Sequence, residues 1–124
     1  MITLTWLGQA SFRIQAGLDL LIDPYLSNSV FEKEGFQRLT PPPFSASELK
    51  PDLVLLSHHH LDHTDPDTLK ALLGDPLFAG PPSSCQILEE IGVPPTRIGA
   101  LQRGESWEYM DLQIEATFAS HTQD

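Results

Sequence analysis

Ser57-His58-His59-His60-Leu61-Asp62-His63-Thr64 is the stretch on which the reading of this chain turns. Four of the chain's five histidines lie in it. The run Asp52-Leu53-Val54-Leu55-Leu56 precedes it, short, apolar and rich in strand formers. Asp65-Pro66-Asp67 follows, with Asp65 suited to cap a helix and Pro66 to its first position. The cluster is therefore predicted on a strand-to-helix turn, where rigid elements hold a loop.

The spacing His58-x-His60-x-Asp62-His63 suits metal binding. Neutral imidazole and carboxylate are good ligands for divalent zinc, manganese or iron. In extended chain alternate side chains point the same way, so His58 and His60 can converge on one ion and His59 points away. Asp62 and His63 follow where the chain turns, and can face a second ion. Two ions about 3.5–4 Å apart share a water and lower its pKa towards 7, which implies hydrolysis. The competing reading is a solvated histidine-rich loop that picks up metal adventitiously.

Further pieces accompany the cluster: Thr5-Trp6-Leu7-Gly8-Gln9-Ala10-Ser11, Leu21-Ile22-Asp23-Pro24, Phe78-Ala79-Gly80-Pro81 and Ala119-Ser120-His121-Thr122. Together they resemble the metallo-β-lactamase superfamily, whose signature is His-x-His-x-Asp-His after a strand. The chain looks closest to the branch of L-ascorbate 6-phosphate lactonases and small metal-dependent hydrolases. N-acyl phosphatidylethanolamine phospholipase D represents a second similar branch. The resemblance implies an αββα sandwich of α/β class. It assigns His58, His60 and His121 to a first metal, and Asp62 and His63 to a second. Asp62 would also orient the nucleophile. The family completes its site with a later aspartate and a later histidine, neither of which occurs before Asp124. The expected architecture is thus the N-terminal half of the domain over residues 1–124, a mixed β-sheet with flanking helices, pairing with a C-terminal half or oligomerising.

Composition bounds the alternatives. The chain has 124 residues, one domain at most. A hydrophobic fraction of 40% fits a globular protein, and 11 prolines with 8 glycines imply short elements and many turns. A formal charge of −10, from 7 basic and 17 acidic residues, repels phosphate backbones, so no nucleic-acid partner is expected. One cysteine excludes an internal disulfide framework. Neither a secretory signal nor a membrane span is visible, so the cytoplasm is the expected location.

The remaining elements follow from pattern. Residues 2–7, 11–15 and 20–22 read as three strands of an antiparallel meander. Asp23 either caps the following turn or orients a ligand histidine, and its place in the family favours the second. Residues 25–45, with Pro41-Pro42-Pro43, read as one long loop. Phe31, Phe36 and Phe44 supply either a substrate wall or pins to the core; Arg38 either lies on the surface or meets an anionic substrate. Residues 66–73 read as a helix closed by Gly74. A strand at 77–79, a helix capped by Ser83 or Ser84 and a strand at 98–101 complete a parallel segment. Residues 105–109 and 112–118 form a hairpin.

The leading expectation is a metal-dependent hydrolase acting on a small-molecule lactone or phosphoester, anionic or not. Its cofactor is a divalent metal, zinc before manganese or iron, up to two ions. A phospholipase-D-like phosphodiesterase, a single-iron oxygenase and a metal-binding half-domain inactive alone are the alternatives. Flavodiiron proteins fit less well, because they resemble this pattern but carry Glu where His60 stands.

Overall fold

The structure is a computed structural model, and it describes residues 1–117. Eight strands and three α-helices follow one another along the described chain. They are β1 (Thr3–Gly8), β2 (Ser11–Gln15), β3 (Asp19–Ile22), α1 (Ser29–Glu34), β4 (Leu53–Leu55), α2 (Pro66–Ala71), β5 (Leu77–Gly80), α3 (Pro82–Glu90), β6 (Ile98–Ala100), β7 (Ser106–Tyr109) and β8 (Leu112–Glu115). Short 3₁₀ turns occupy Ala46–Glu48 and Pro95–Arg97.

The first six strands form one mixed sheet in the order β1-β2-β3-β4-β5-β6. The meander β1-β2-β3 is antiparallel, and β3 to β6 run parallel. Parallel neighbours need a covered crossover, and α2 and α3 supply it between β4, β5 and β6. β7 and β8 pair separately as the expected hairpin, with Met110 in the left-handed region at its tip.

The sheet register sorts the side chains onto two faces. Leu21, Val54 and Phe78 are cross-strand partners on one face. They join Leu7, Leu26, Leu49, Leu56, Leu69 and Leu88 in the core under the helices. Each fully buried aliphatic side chain of this kind contributes about 1.5–3 kcal/mol. The opposite face carries Leu20, Leu53 and Leu77 in one row and Ile22, Leu55 and Ala79 in the next. Phe12 pairs with Ile22 and Trp6, and Ile14 with Leu20 and Leu4, so these extend the same face. Both faces of the sheet are therefore apolar, as expected for the inner sheet of a layered α/β architecture.

Three expectations require correction. Residues 25–45 are not one loop, because Ser29–Glu34 forms α1, closed by Gly35 in the left-handed conformation. Its six residues are too few to show a helical period in sequence. The helix before β6 is not capped by Ser83 or Ser84: it starts at Pro82 after Pro81, and both serines lie inside it. Proline at the first position presets the helical φ and has no amide to satisfy. The helix expected to reach residue 73 ends at Ala71, since Leu72 is already extended.

Gly80 marks a place where no larger residue fits comfortably. A Cβ there would meet the Leu56 carbonyl oxygen at 3.0 Å and the Leu56 Cβ at 3.1 Å. The ends of β4 and β5 can therefore approach closely just where the histidine loop begins.

Candidate metal centre

The site forms at the carboxyl ends of adjacent parallel strands, the usual place for function in an open α/β sheet. Asp23 follows β3, the histidine cluster follows β4, and Gly80 and Pro81 follow β5. The Asp23 amide donates to the Leu55 carbonyl at 2.9 Å, so the ladder continues one residue past the strand. Asp23 then adopts φ +45°, a left-handed conformation that a short polar side chain tolerates. Ser11 stabilises this turn from beneath. Its buried hydroxyl donates to the Asp23 carbonyl at 2.6 Å and accepts the Tyr25 amide at 2.9 Å.

That turn aims the Asp23 carboxylate at the histidine loop. Oδ1 accepts the Ser57 amide at 2.7 Å. Oδ2 accepts the Ser57 hydroxyl and lies 2.8 Å from His63 Nδ1. Asp23 is 4% exposed, so these bonds form with little competing water. The loop closes on itself, with the His63 and Thr64 amides donating to the His60 carbonyl at 2.9 and 2.8 Å. Thr64 Oγ1 donates to the His58 carbonyl at 2.6 Å and takes the Ser84 hydroxyl of α3 at 3.0 Å.

The donor groups converge as a result. Asp23, His58 and His63 each offer a ligand atom, and these atoms lie within 4.8 Å of one another. The His58 ring centroid is 3.9 Å from that of His63 and 4.7 Å from that of His60. Asp62 Oδ2 stands 3.6 Å from His63 Nε2. His59 is exposed, with its ring 5.0 Å from His60. His121 lies outside the described residues. Burial pushes the His63 pKa down, but the Asp23 hydrogen bond and the charges of Asp23 and Asp62 outweigh it, so the net shift is upward.

A family model described as "Beta-lactamase superfamily domain" matches residues 3–124. The chain belongs to this superfamily. It is 39% identical over 82 residues to the mitochondrial N-acyl-phosphatidylethanolamine-hydrolyzing phospholipase D of Saccharomyces cerevisiae, covering 62% of this chain and 18% of that protein. A metal-dependent hydrolase of Thermoplasma volcanium is 29% identical over 122 residues, covering 98% of this chain and 48% of that one. Among solved structures, the isothiocyanate hydrolase from Delia radicum gut bacteria superposes with a TM-score of 0.66 at 23% identity, over 90% of this chain and 44% of that one. This last likeness is one of fold. The chain spans less than half the length of each of these proteins.

The residues present in this superfamily member fit a divalent metal on the chemistry of the donor set. His63 Nδ1 is engaged by Asp23, which leaves Nε2 as the atom that could hold an ion. His58 Nδ1 faces the Ser57 hydroxyl at 2.8 Å, which leaves its Nε2 in the same role. Imidazole nitrogens beside a carboxylate suit zinc, manganese or iron alike. Sequence reasoning missed Ser11, Ser57, Thr64 and Ser84, although their hydroxyls shape the turn and the loop. Only the juxtaposition of β3 with β4, and of α3 with the loop, gives them partners.

In the segment after α1, Arg38 is half-buried. Its guanidinium stacks 4.7 Å over the Tyr25 ring and donates from Nη1 to the Tyr25 carbonyl at 2.5 Å and from Nε to the Thr40 carbonyl at 3.1 Å. Arg38 thus ties its segment to the chain just after Asp23. Phe44 packs against the core, whereas Phe31 and Phe36 are 38% and 71% exposed. A cavity of about 460 Å³ opens among Leu26, Ser27, Asn28, Gln37, Arg38, Leu39, Pro41 and Pro42.

Proposed function

We propose that this chain carries the metal-binding part of a metal-dependent hydrolase, with His58, His60, Asp62, His63 and His121 as the ligands. The observation that carries this reading is the convergence of His58 and His63 beside Asp62, with Asp23 bonded to the rear nitrogen of His63. A bound divalent metal supplies Lewis-acid chemistry, lowering the pKa of water towards neutrality and polarising the scissile group. Asp23 holds His63 by its Nδ1, so that Nε2 would be the atom to hold the ion, and such outer contacts raise ligand basicity. Asp62, with its side chain 40% exposed, would hold metal and accept a proton from an approaching water. The cavity walled by Leu26, Leu39, Pro41 and Pro42 would receive the rest of the substrate.

For the substrate, a phosphodiester or a lactone is the proposal. The name of the yeast relative supports the first; the resemblance to the lactonase branch supports the second. Elemental analysis of the purified chain loaded with zinc, manganese or iron tests the metal centre. Replacing both His58 and His60 by Ala should abolish stoichiometric metal, and the reading fails if the double variant keeps full occupancy. Hydrolysis of bis-p-nitrophenyl phosphate against that of a simple lactone then separates the substrate classes.

A further inference from the structure

We propose that Ser57 is a positioning residue that fixes the ring tautomer of His58, so that one carboxylate, Asp23, sets the orientation of two histidines. The proposal rests on the reading of His58 and His63 as metal ligands, and it adds how their donor nitrogens are selected.

The argument is an accounting of protons. A serine hydroxyl has one hydrogen and two lone pairs, and an ionised carboxylate has lone pairs only. Ser57 Oγ donates its hydrogen to Asp23 Oδ2. It therefore has only lone pairs to offer His58 Nδ1, which lies 2.8 Å away. A hydrogen bond at that distance requires the hydrogen to sit on His58 Nδ1. In the neutral ring the lone pair is then confined to Nε2. His63 reaches the same state directly, because its Nδ1 lies 2.8 Å from Asp23 Oδ2 and can only donate to it.

One carboxylate oxygen thus fixes two rings, one by contact and one through a hydroxyl. The geometry is held independently of the rings. The Ser57 amide donates to Asp23 Oδ1 at 2.7 Å, which locks Ser57 against the carboxylate. Thr64 fixes the His58 carbonyl from the far side of the loop. Both histidines would meet a metal with the ring hydrogen already on Nδ1, so binding through Nε2 would not have to move a proton from one side of the ring to the other.

Nitrogen-15 NMR on the full chain, metal-free and at a pH where the rings are neutral, reads the tautomers through long-range ring correlations. The wild type should show His58 and His63 both protonated on Nδ1. In Ser57→Ala, His63 should stay so while His58 shifts to Nε2–H or a mixture; Ser57→Thr, which keeps the hydroxyl, should restore it. Zinc affinity should fall by roughly 10–100-fold in Ser57→Ala and recover in Ser57→Thr. Wild-type His58 protonated on Nε2 overturns the proposal without any variant being needed. So does a Ser57→Ala chain in which His58 keeps Nδ1–H. Absence of zinc binding by the wild type would refute the metal-centre reading, while the tautomer result would still decide the role of Ser57.

Discussion

At the scale of single residues, Asp23 does most to define the site, and its neighbours in the sequence do not single it out. Its sequence context, Ile22-Asp23-Pro24, is that of an ordinary strand end. The histidine cluster is legible because its members are adjacent in the chain. The resemblance favoured Asp23 as an orienting carboxylate, but its partners emerge only where β3 lies beside β4, which brings it to Ser57 and His63 across 34 and 40 residues. A pH prediction follows from that contact. The folded-state pKa of His63 is raised above its unfolded value of about 6.5. The metal-free folded state therefore holds this proton more tightly than the unfolded chain does. The stabilisation is complete below the unfolded value and is lost as pH rises through the folded one. In chelated protein the urea midpoint should fall as pH is raised from about 6 to 8, and Asp23→Asn should flatten that dependence. Equal slopes for the two proteins would show that Asp23 does not set the protonation of His63. Because the proton competes with metal for this ring, zinc affinity should rise over the same window.

At the scale of elements, the loop and its neighbours are joined by buried hydroxyls. Asp65, fully buried, caps α2 through the Asp67 amide at 3.2 Å. It also accepts from Ser27 at 2.5 Å, Ser29 at 2.8 Å and Thr68 at 2.5 Å. Thr68 in turn accepts the Leu26 amide at 2.9 Å. The cap predicted from Asp65-Pro66 is therefore also the bond that fastens the cavity wall to the end of the histidine loop. The capping role was legible, since Asp before Pro is a local signal. The fastening was not, because Ser27 and Ser29 lie in a segment without periodicity. Asp65→Ala removes the cap and leaves three hydroxyls without their acceptor. A cap is worth about 0.5–2 kcal/mol and each unsatisfied buried group about 1–3 kcal/mol, so a loss of about 3 kcal/mol is expected. Urea denaturation at constant pH measures it, and a loss under about 2 kcal/mol would show that Asp65 acts as a cap alone.

At the scale of the whole molecule, the sheet has one face under helices and one that is apolar without being uniformly covered. The register places Leu4, Phe12, Ile22, Leu53 and Leu55 together on this second face. What covers each of them was not legible, because exposure depends on neighbours that pattern does not name. Leu53 and Leu20, on β4 and β3, are 0% and 5% exposed. Exposure rises towards β1, where Leu4 is 63% and Trp6 56% exposed. β1 is also an edge of the six-stranded sheet, so apolar side chains and strand edge coincide. Such an edge templates association with another chain. Burying the exposed part of Leu4 and Trp6 would contribute roughly 1–2 kcal/mol each, enough to bias a weak association. Expressed by itself, the 124-residue chain is expected to self-associate through this edge in sedimentation experiments. Leu4→Lys combined with Trp6→Lys should shift it towards monomer, since lysines on an edge strand oppose pairing. Lys70→Glu on α2, across the sheet from this face, should leave association unchanged. A wild-type chain that stays monomeric at every concentration would show that the face is closed by other means, and would remove the basis for expecting a partner there.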